Sequence, residues 1–98
     1  MALGPMAFFE KLPVKKITYT VGNVTFNSNG LYTVGQKGIS GYSIIGASIA
    51  DFTSTTGAIG TLVYSNTIYI TGTPSGTATN VKVLVVYLST DYFDIQTS

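Results

Sequence analysis

Apolar residues recur at every second position over several short stretches between residues 16 and 88. Ile17, Tyr19 and Val21 alternate with polar residues, and the alternation resumes after Gly22-Asn23, where we expect a bulge or a tight turn. Because consecutive side chains of a β-strand point to opposite faces, a period of two predicts strands that each bury one face. No stretch of helical length has a period of 3.6 residues, so the pattern favours an all-β fold.

Clusters of turn-forming residues divide the alternating pattern into separate strands. The clusters are Asn27-Ser28-Asn29-Gly30, the polar loop 53–57, the two-residue connection Ser65-Asn66 and the loop 72–76. Gly46 lies inside the strand expected over residues 41–50, where it predicts a bend or a close approach of another backbone segment. About seven short strands, with turns roughly every 8 to 12 residues, predict an antiparallel β-sandwich that is either jelly-roll-like or immunoglobulin-like.

The 98-residue chain has the length of one domain, because so short a chain cannot divide its buried surface between two cores. We expect an N-terminal tail, a sandwich domain and a C-terminal tail, over residues 1–15, 16–90 and 91–98. Gly4-Pro5 before a second methionine is compatible with cloning-derived residues 1–5 ahead of a natural start at Met6. The first residues resemble neither a signal peptide nor a membrane helix, so we expect no membrane insertion.

The final strand, expected over residues 80–88, is apolar on both of its faces. One face carries Val81, Val83, Val85 and Tyr87, and the other carries Leu84, Val86 and Leu88. A sandwich of this size has one interior, and leaving the second row in water forgoes about 1.5–3 kcal/mol per side chain. We therefore expect the second row to contact either another copy of the chain or residues 6–12, which include Phe8, Phe9 and Leu12.

The chain contains no histidine, cysteine or arginine, which removes the usual proton shuttle, the thiolate nucleophile and the bidentate clamp for phosphate. Five lysines and four acids give a net charge of +1, which is too small to indicate a nucleic-acid partner. No constellation for proton transfer or metal ligation is present in the sequence. We therefore predict that the protein is not an enzyme and has no catalytic residue, metal site or cofactor.

The individual candidates for chemistry all have simpler structural roles. Ser43 lies in a Gly-Tyr-Ser segment like that of a nucleophile elbow, but the second glycine and an activating histidine are missing, which favours an ordinary strand residue. Glu10, Asp91 and Asp94 fall in the expected tails, where solvated charges are a better account than a catalytic pair or a cation site. Asp51 ends a strand before a Ser/Thr loop, where a carboxylate can accept backbone N–H bonds and start the turn.

Seven tyrosines are the one compositional feature that points toward recognition, because tyrosine offers an apolar ring and a hydroxyl at low entropic cost. Loops at one end of a sandwich commonly carry binding residues while the sheets hold them in place. We expect any ligand to bind where the loops 35–41 and 53–57 meet, with Tyr42, Asp51 and Tyr64 close by.

Four segments carry a resemblance to a known group of proteins. They are VTFNSNGLYTV (24–34), SGYSIIGASI (40–49), SNTIYITG (65–72) and TNVKVLVVYLST (79–90). In this order they resemble the C-terminal β-sandwich module of phage and prophage tail, baseplate and receptor-binding proteins. The resemblance extends over residues 21 to 90 and brings no catalytic motif.

The resemblance implies a virion protein, located on an extracellular particle and assembled with other virion proteins. Such modules lie at the end of a trimeric fibre or spike, which favours a homotrimer that uses Leu84, Val86 and Leu88 as its interface. Two functions remain open. The chain is either a receptor-binding tip for a bacterial surface saccharide or a purely structural domain, such as a capsid decoration, a trimerisation module or a cap.

Overall fold

The computed structural model describes residues 13–90 of the chain, and all of the regular structure in that range is β-strand. The strands are β1 (Val14–Thr25), β2 (Leu31–Gln36), β3 (Tyr42–Asp51), β4 (Ser54–Thr55), β5 (Gly60–Tyr64), β6 (Thr67–Thr71) and β7 (Thr77–Ser89). Glu10, Asp91 and Asp94, and the segment containing Phe8, Phe9 and Leu12, lie outside the described residues.

The strands form two antiparallel sheets that pack against each other, which confirms the predicted β-sandwich. The large sheet has the order β1-β7-β3, and β4 pairs with β7 beyond the end of β3. The small sheet has the order β2-β6-β5. β7, the last strand within the described residues, is therefore the central strand of the large sheet.

The core lies between the two central strands, β7 and β6. The inward row of β7, Val81, Val83, Val85 and Tyr87, is fully buried, as are Ile68 and Ile70 of β6. Val24 and Phe26 close the core at the end where β1 leaves the sheet. Each of these large side chains contributes about 1.5–3 kcal/mol through the apolar surface it removes from water, so this cluster is the main source of stability.

Register shifts in the large sheet occur next to Gly22 and Gly46, and a further one lies between Ile49 and Asp51 at the end of β3. The β1–β7 register shifts on both sides of Gly22, whose φ is 91°, so the expected bulge is confirmed. The β3–β7 register shifts between Ile44 and Gly46, so the strand is irregular at this glycine, and nothing lies within 4 Å of a Cβ atom placed there. These shifts let both long strands curve around the core.

The two best-defined turns also follow the sequence. Asn27 Oδ1 accepts hydrogen bonds from the backbone N–H groups of Asn29 (2.8 Å) and Leu31 (3.1 Å), which closes the 27–30 turn. Ser65 and Asn66 have φ values of 52° and 64°, the left-handed conformation of a two-residue type I′ hairpin between β5 and β6.

The strands differ from the expected ones by one residue at several ends and by more at the start of β1, at the start of β7 and at β4. β1 begins at Val14, two residues before the expected start at residue 16, and β7 begins at Thr77 rather than at residue 80. Residues 54 and 55, expected in a polar loop, form β4 against Ala78 and Thr79. Threonine favours strands as well as polar loops, so the polarity of these segments did not distinguish the two.

Candidate functional site

The structure does not bring the three predicted site residues together. Tyr42 and Asp51 are the first and last residues of the ten-residue strand β3, so they lie about 25–30 Å apart at the usual rise of a strand. Lys37, in the loop 35–41, donates its backbone N–H to Asn66, whereas Thr56, in the loop 53–57, donates its N–H to Thr77 at the opposite end. The expectation that these two loops meet at one end of the sandwich was therefore wrong.

Asp51 has the local role that its position in the sequence predicts. Its Oδ1 accepts a hydrogen bond of 2.9 Å from the backbone N–H of Phe52, at the point where β3 ends. Its strand partner across the sheet is Lys82, and the residue is exposed. A ligand contact by Asp51 stays a prediction, and it would be separate from any contact made by the tyrosines.

Tyr42 lies on the inward side of the large sheet, where it is half-buried and packs against the core. Its strand partner is Ser89. The Nζ atom of Lys15 lies 5.1 Å from the centre of the Tyr42 ring, a distance at which a cation is attracted to the ring face. The ring is therefore held by its own chain, and its ligand-binding role stays a prediction.

Two other tyrosines, Tyr19 and Tyr87, hold the loop that follows β2 in place. The hydroxyl of Tyr87 donates a hydrogen bond of 2.6 Å to the carbonyl oxygen of Lys37, and the hydroxyl oxygens of Tyr19 and Tyr87 are 2.7 Å apart. A phenol has one proton, so Tyr19 is the donor to Tyr87. The Nζ atom of Lys37 lies 4.7 Å from the centre of the Tyr19 ring.

Burial of Tyr87, together with its hydrogen bond to Tyr19 and the charge that Tyr19 can acquire, raises the pKa of Tyr87 above its ordinary value of 10.0. The hydroxyl therefore stays protonated at neutral pH and keeps its hydrogen bond to the loop. This arrangement explains the position of the loop structurally and gives no reason to assign a ligand to it.

Tyr64 lies on the outward side of the small sheet, in a group of side chains that we call the tyrosine face. Strand alternation and register place on it Leu31, Thr33 and Gln36 of β2, Leu62 and Tyr64 of β5, and Thr67, Tyr69 and Thr71 of β6. Tyr64 is 72% exposed and Leu62 is 46% exposed. Tyr69 is half-buried at the centre, between its strand partners Leu62 and Thr33.

The tyrosine face is uncharged. None of the three strands of the small sheet contains Lys, Arg, Asp or Glu. The charged residues within 13–90 are Lys15, Lys16, Lys37, Lys82 and Asp51. Four of them belong to the large sheet, and the fifth, Lys37, holds its amine over Tyr19.

The outward side of the large sheet has a different character. Leu84, Val86 and Leu88 lie there, half-buried, on the side opposite the core row of β7. Val14, the strand partner of Leu88, is 40% exposed, and Ile45 in the β3 bulge is 53% exposed. We call Val14, Ile45, Leu84, Val86 and Leu88 the apolar face. Its contact with another copy stays a prediction.

Ser43 and the possible metal ligands are the remaining candidates for chemistry in the described region. Residues 13–90 contain no group of three or more His, Cys, Asp or Glu side chains that could hold a metal ion. Ser43 is a strand residue paired with Leu88 on the large sheet. No helix within the same range is long and apolar enough to cross a membrane.

Sequence reasoning missed the tyrosine face as a unit, although a local signal for it existed. The hairpin turn at Ser65-Asn66 fixes the register of β5 and β6, and this register places Leu62, Tyr64 and Tyr69 on one side. The position of the tyrosine face relative to the core depends on which distant strands pair, and the sequence pattern does not reveal this pairing.

The tyrosine face and the apolar face are the two surfaces on which a function can be based. Comparison with known proteins found no family model, no curated protein and no solved structure that matches the chain.

Proposed function

We propose that the chain is a non-enzymatic module of a phage virion, the receptor-binding tip of a tail or baseplate protein, and that it attaches to a saccharide on the host surface through the tyrosine face. The observation that supports this most is the exposure of Tyr64, at 72%, beside Leu62 on an open three-stranded sheet. An aromatic ring can stack against the apolar side of a sugar while neighbouring hydroxyls bind its polar groups.

The surroundings of Tyr64 fit such a role better than a role in packing. Tyr64 pairs with Thr67, and Tyr69 pairs with Leu62 and Thr33, so two phenols, hydroxyls and an aliphatic side chain form one continuous surface. A single exposed apolar residue needs no explanation, but a cluster of this kind is typical of a binding surface.

The two outward faces lie on opposite sides of the sandwich, which makes binding and assembly compatible. In a homotrimer that buries the apolar face, the tyrosine face of every copy remains accessible. Three weak sites on one particle then bind together with higher avidity than each alone. This arrangement supports an extracellular location on the virion, with other virion proteins as further partners.

A glycan array with matched variants tests the proposal. Wild type and Phe52→Ala are expected to bind the same bacterial surface glycans, because Phe52 is 42% exposed but lies beyond the end of β3, away from the tyrosine face. Tyr64→Ala is expected to lose those signals while keeping the β-sheet circular dichroism of the wild type. Equal binding by all three proteins would contradict the proposed surface.

A purely structural virion domain is the second candidate, and the apolar face is the observation that favours it. Val14 and Ile45 are exposed beside a row of three half-buried aliphatic side chains. Lys16 lies opposite Val86 at the margin of this row, and burial of the row against other copies would remove apolar surface from water. A homotrimer that binds no glycan, even when displayed at high avidity, would support this alternative over the receptor-binding tip.

A further inference from the structure

We infer that the ligand of the tyrosine face is an uncharged saccharide and that its acidic counterparts, which carry uronic acid, sulfate or phosphate groups, bind less well. This inference rests on the proposed saccharide-binding function and specifies its ligand. It follows from the position of every charged side chain in the described part of the protein.

The first step is the absence of a partner for an anion. The strands of the small sheet contain no charged residue, and the four lysines within 13–90 lie elsewhere. Lys15 is directed at the Tyr42 ring, Lys37 at the Tyr19 ring, and Lys16 and Lys82 lie on the outward side of the large sheet. An anionic group placed on the tyrosine face would lose water without gaining an ion pair, which is unfavourable.

The second step is the kind of polar group that the face does offer. Tyr64 and Tyr69 supply phenol hydroxyls, Thr33 and Thr67 supply aliphatic hydroxyls, and Gln36 supplies an amide. All of these groups both donate and accept hydrogen bonds. Sugar hydroxyls have the same dual character, so an uncharged sugar can satisfy them without a compensating charge.

The third step is that paired strands hold the tyrosine face in place before any ligand binds. Tyr64 and Thr67 flank the type I′ turn, whose Asn66 carbonyl oxygen accepts a 2.9 Å hydrogen bond from the backbone N–H of Lys37. This bond ties the hairpin to a loop that Tyr87 in turn ties to the large sheet. A surface on paired strands loses little freedom when it binds, so neutral contacts can suffice.

The test compares uncharged bacterial glycans with their acidic counterparts on one array. Wild-type protein is expected to bind uncharged members. Its affinity for the strongest of them should change by less than about twofold between 0.01 M and 1 M sodium chloride, although the Debye length falls from about 30 to about 3 Å over this range. Tyr64→Ala should weaken that binding by about tenfold or more, which corresponds to about 1.4 kcal/mol.

A variant with one added charge provides a second readout. Thr67→Lys places an amine beside Tyr64 and should increase binding of the acidic counterparts at low salt. Ser28→Lys, in the exposed turn 27–30, adds the same charge elsewhere and should not. Both variants should keep the wild-type circular dichroism spectrum.

The outcomes separate the inference from the function on which it rests. Equal or stronger wild-type binding to acidic glycans, lost in Tyr64→Ala, would overturn the inference and leave the proposed function in place. The same holds if affinity for the bound glycan falls steeply with salt. Failure of the wild type to bind any glycan on the array would overturn both.

Discussion

Tyr87 connects the core to the loop after β2 through one hydroxyl group. Replacing Tyr87 with phenylalanine leaves the Lys37 carbonyl and the Tyr19 hydroxyl without this partner in a partly buried setting, at an expected cost of about 1–2 kcal/mol in the free energy of unfolding. Urea unfolding measures the change. Tyr64→Phe removes a hydroxyl from a residue that is 72% exposed, and we expect it to have almost no effect.

The contribution of the Tyr87 hydroxyl to stability should decrease at alkaline pH. Burial, first of all, and then Tyr19 raise the pKa of Tyr87 in the folded protein above its ordinary value of 10.0. The native state therefore keeps the proton when the unfolded chain has lost it, so the stabilisation is complete below about pH 10 and declines as the pH rises further. Urea unfolding at about pH 8 and about pH 11 should show this decline in the wild type. A decline of equal size in Tyr87→Phe would contradict the assignment.

Gly72 is required for steric reasons. A Cβ atom at this position would lie 2.5 Å from two ring atoms of Phe26, whereas one at Gly46 would meet nothing within 4 Å. Gly72→Ala should therefore displace the buried Phe26 ring and lower the free energy of unfolding by about 1–3 kcal/mol. Gly46→Ala is the matched control. Equal unfolding temperatures of the two variants would show that the core accommodates the added methyl group without loss of stability.

At the scale of the element, the β5–β6 hairpin depends on its left-handed turn. Ser65 has a φ of 52°, which a β-branched residue adopts only at an expected cost of about 1–2 kcal/mol. Ser65→Val should be destabilised by this amount in urea unfolding. Ser28→Val, at an exposed position whose φ is not positive, should lose clearly less. Equal losses would mean that side-chain polarity, rather than backbone conformation, determines the effect.

Local chemistry explains which elements could be predicted from the sequence. The hairpin at Ser65-Asn66 and the bulge at Gly22 depend on a few adjacent residues, and both are present in the structure. The prediction of one site formed by Tyr42 and Asp51 was wrong because these residues lie at opposite ends of β3. This strand has ten residues, and the loops at its two ends are separated by its full length. The separation could have been predicted from the sequence, because the strand was expected over residues 41–50. Strand order, which defines the two outward faces, arises from pairing between distant segments and has no local signature.

At the scale of the whole molecule, the apolar face predicts self-association. We expect the wild type to be a homotrimer in light scattering, because burial of Leu84, Val86 and Leu88 by other copies removes apolar surface from water. Leu84→Lys combined with Val86→Lys should give folded monomers. Thr33→Lys combined with Thr67→Lys changes the opposite side of the sandwich and should leave the trimer intact.

A monomeric wild type would rule out the trimer. If removal of residues 1–12 then made this monomer aggregate, the result would indicate that the chain covers the apolar face with its own N-terminal segment.

The central place of β7 in the large sheet has a consequence for how the protein is made. This strand follows all the other described strands in the chain, yet both β1 and β3 pair with it, and the Tyr19–Tyr87 contact joins residues 68 positions apart. The earlier strands of this sheet have no partner until β7 has been synthesised, so folding should be slow for a protein of its size. Until then β1 and β3 remain unpaired, and their edges are open to pairing with other chains.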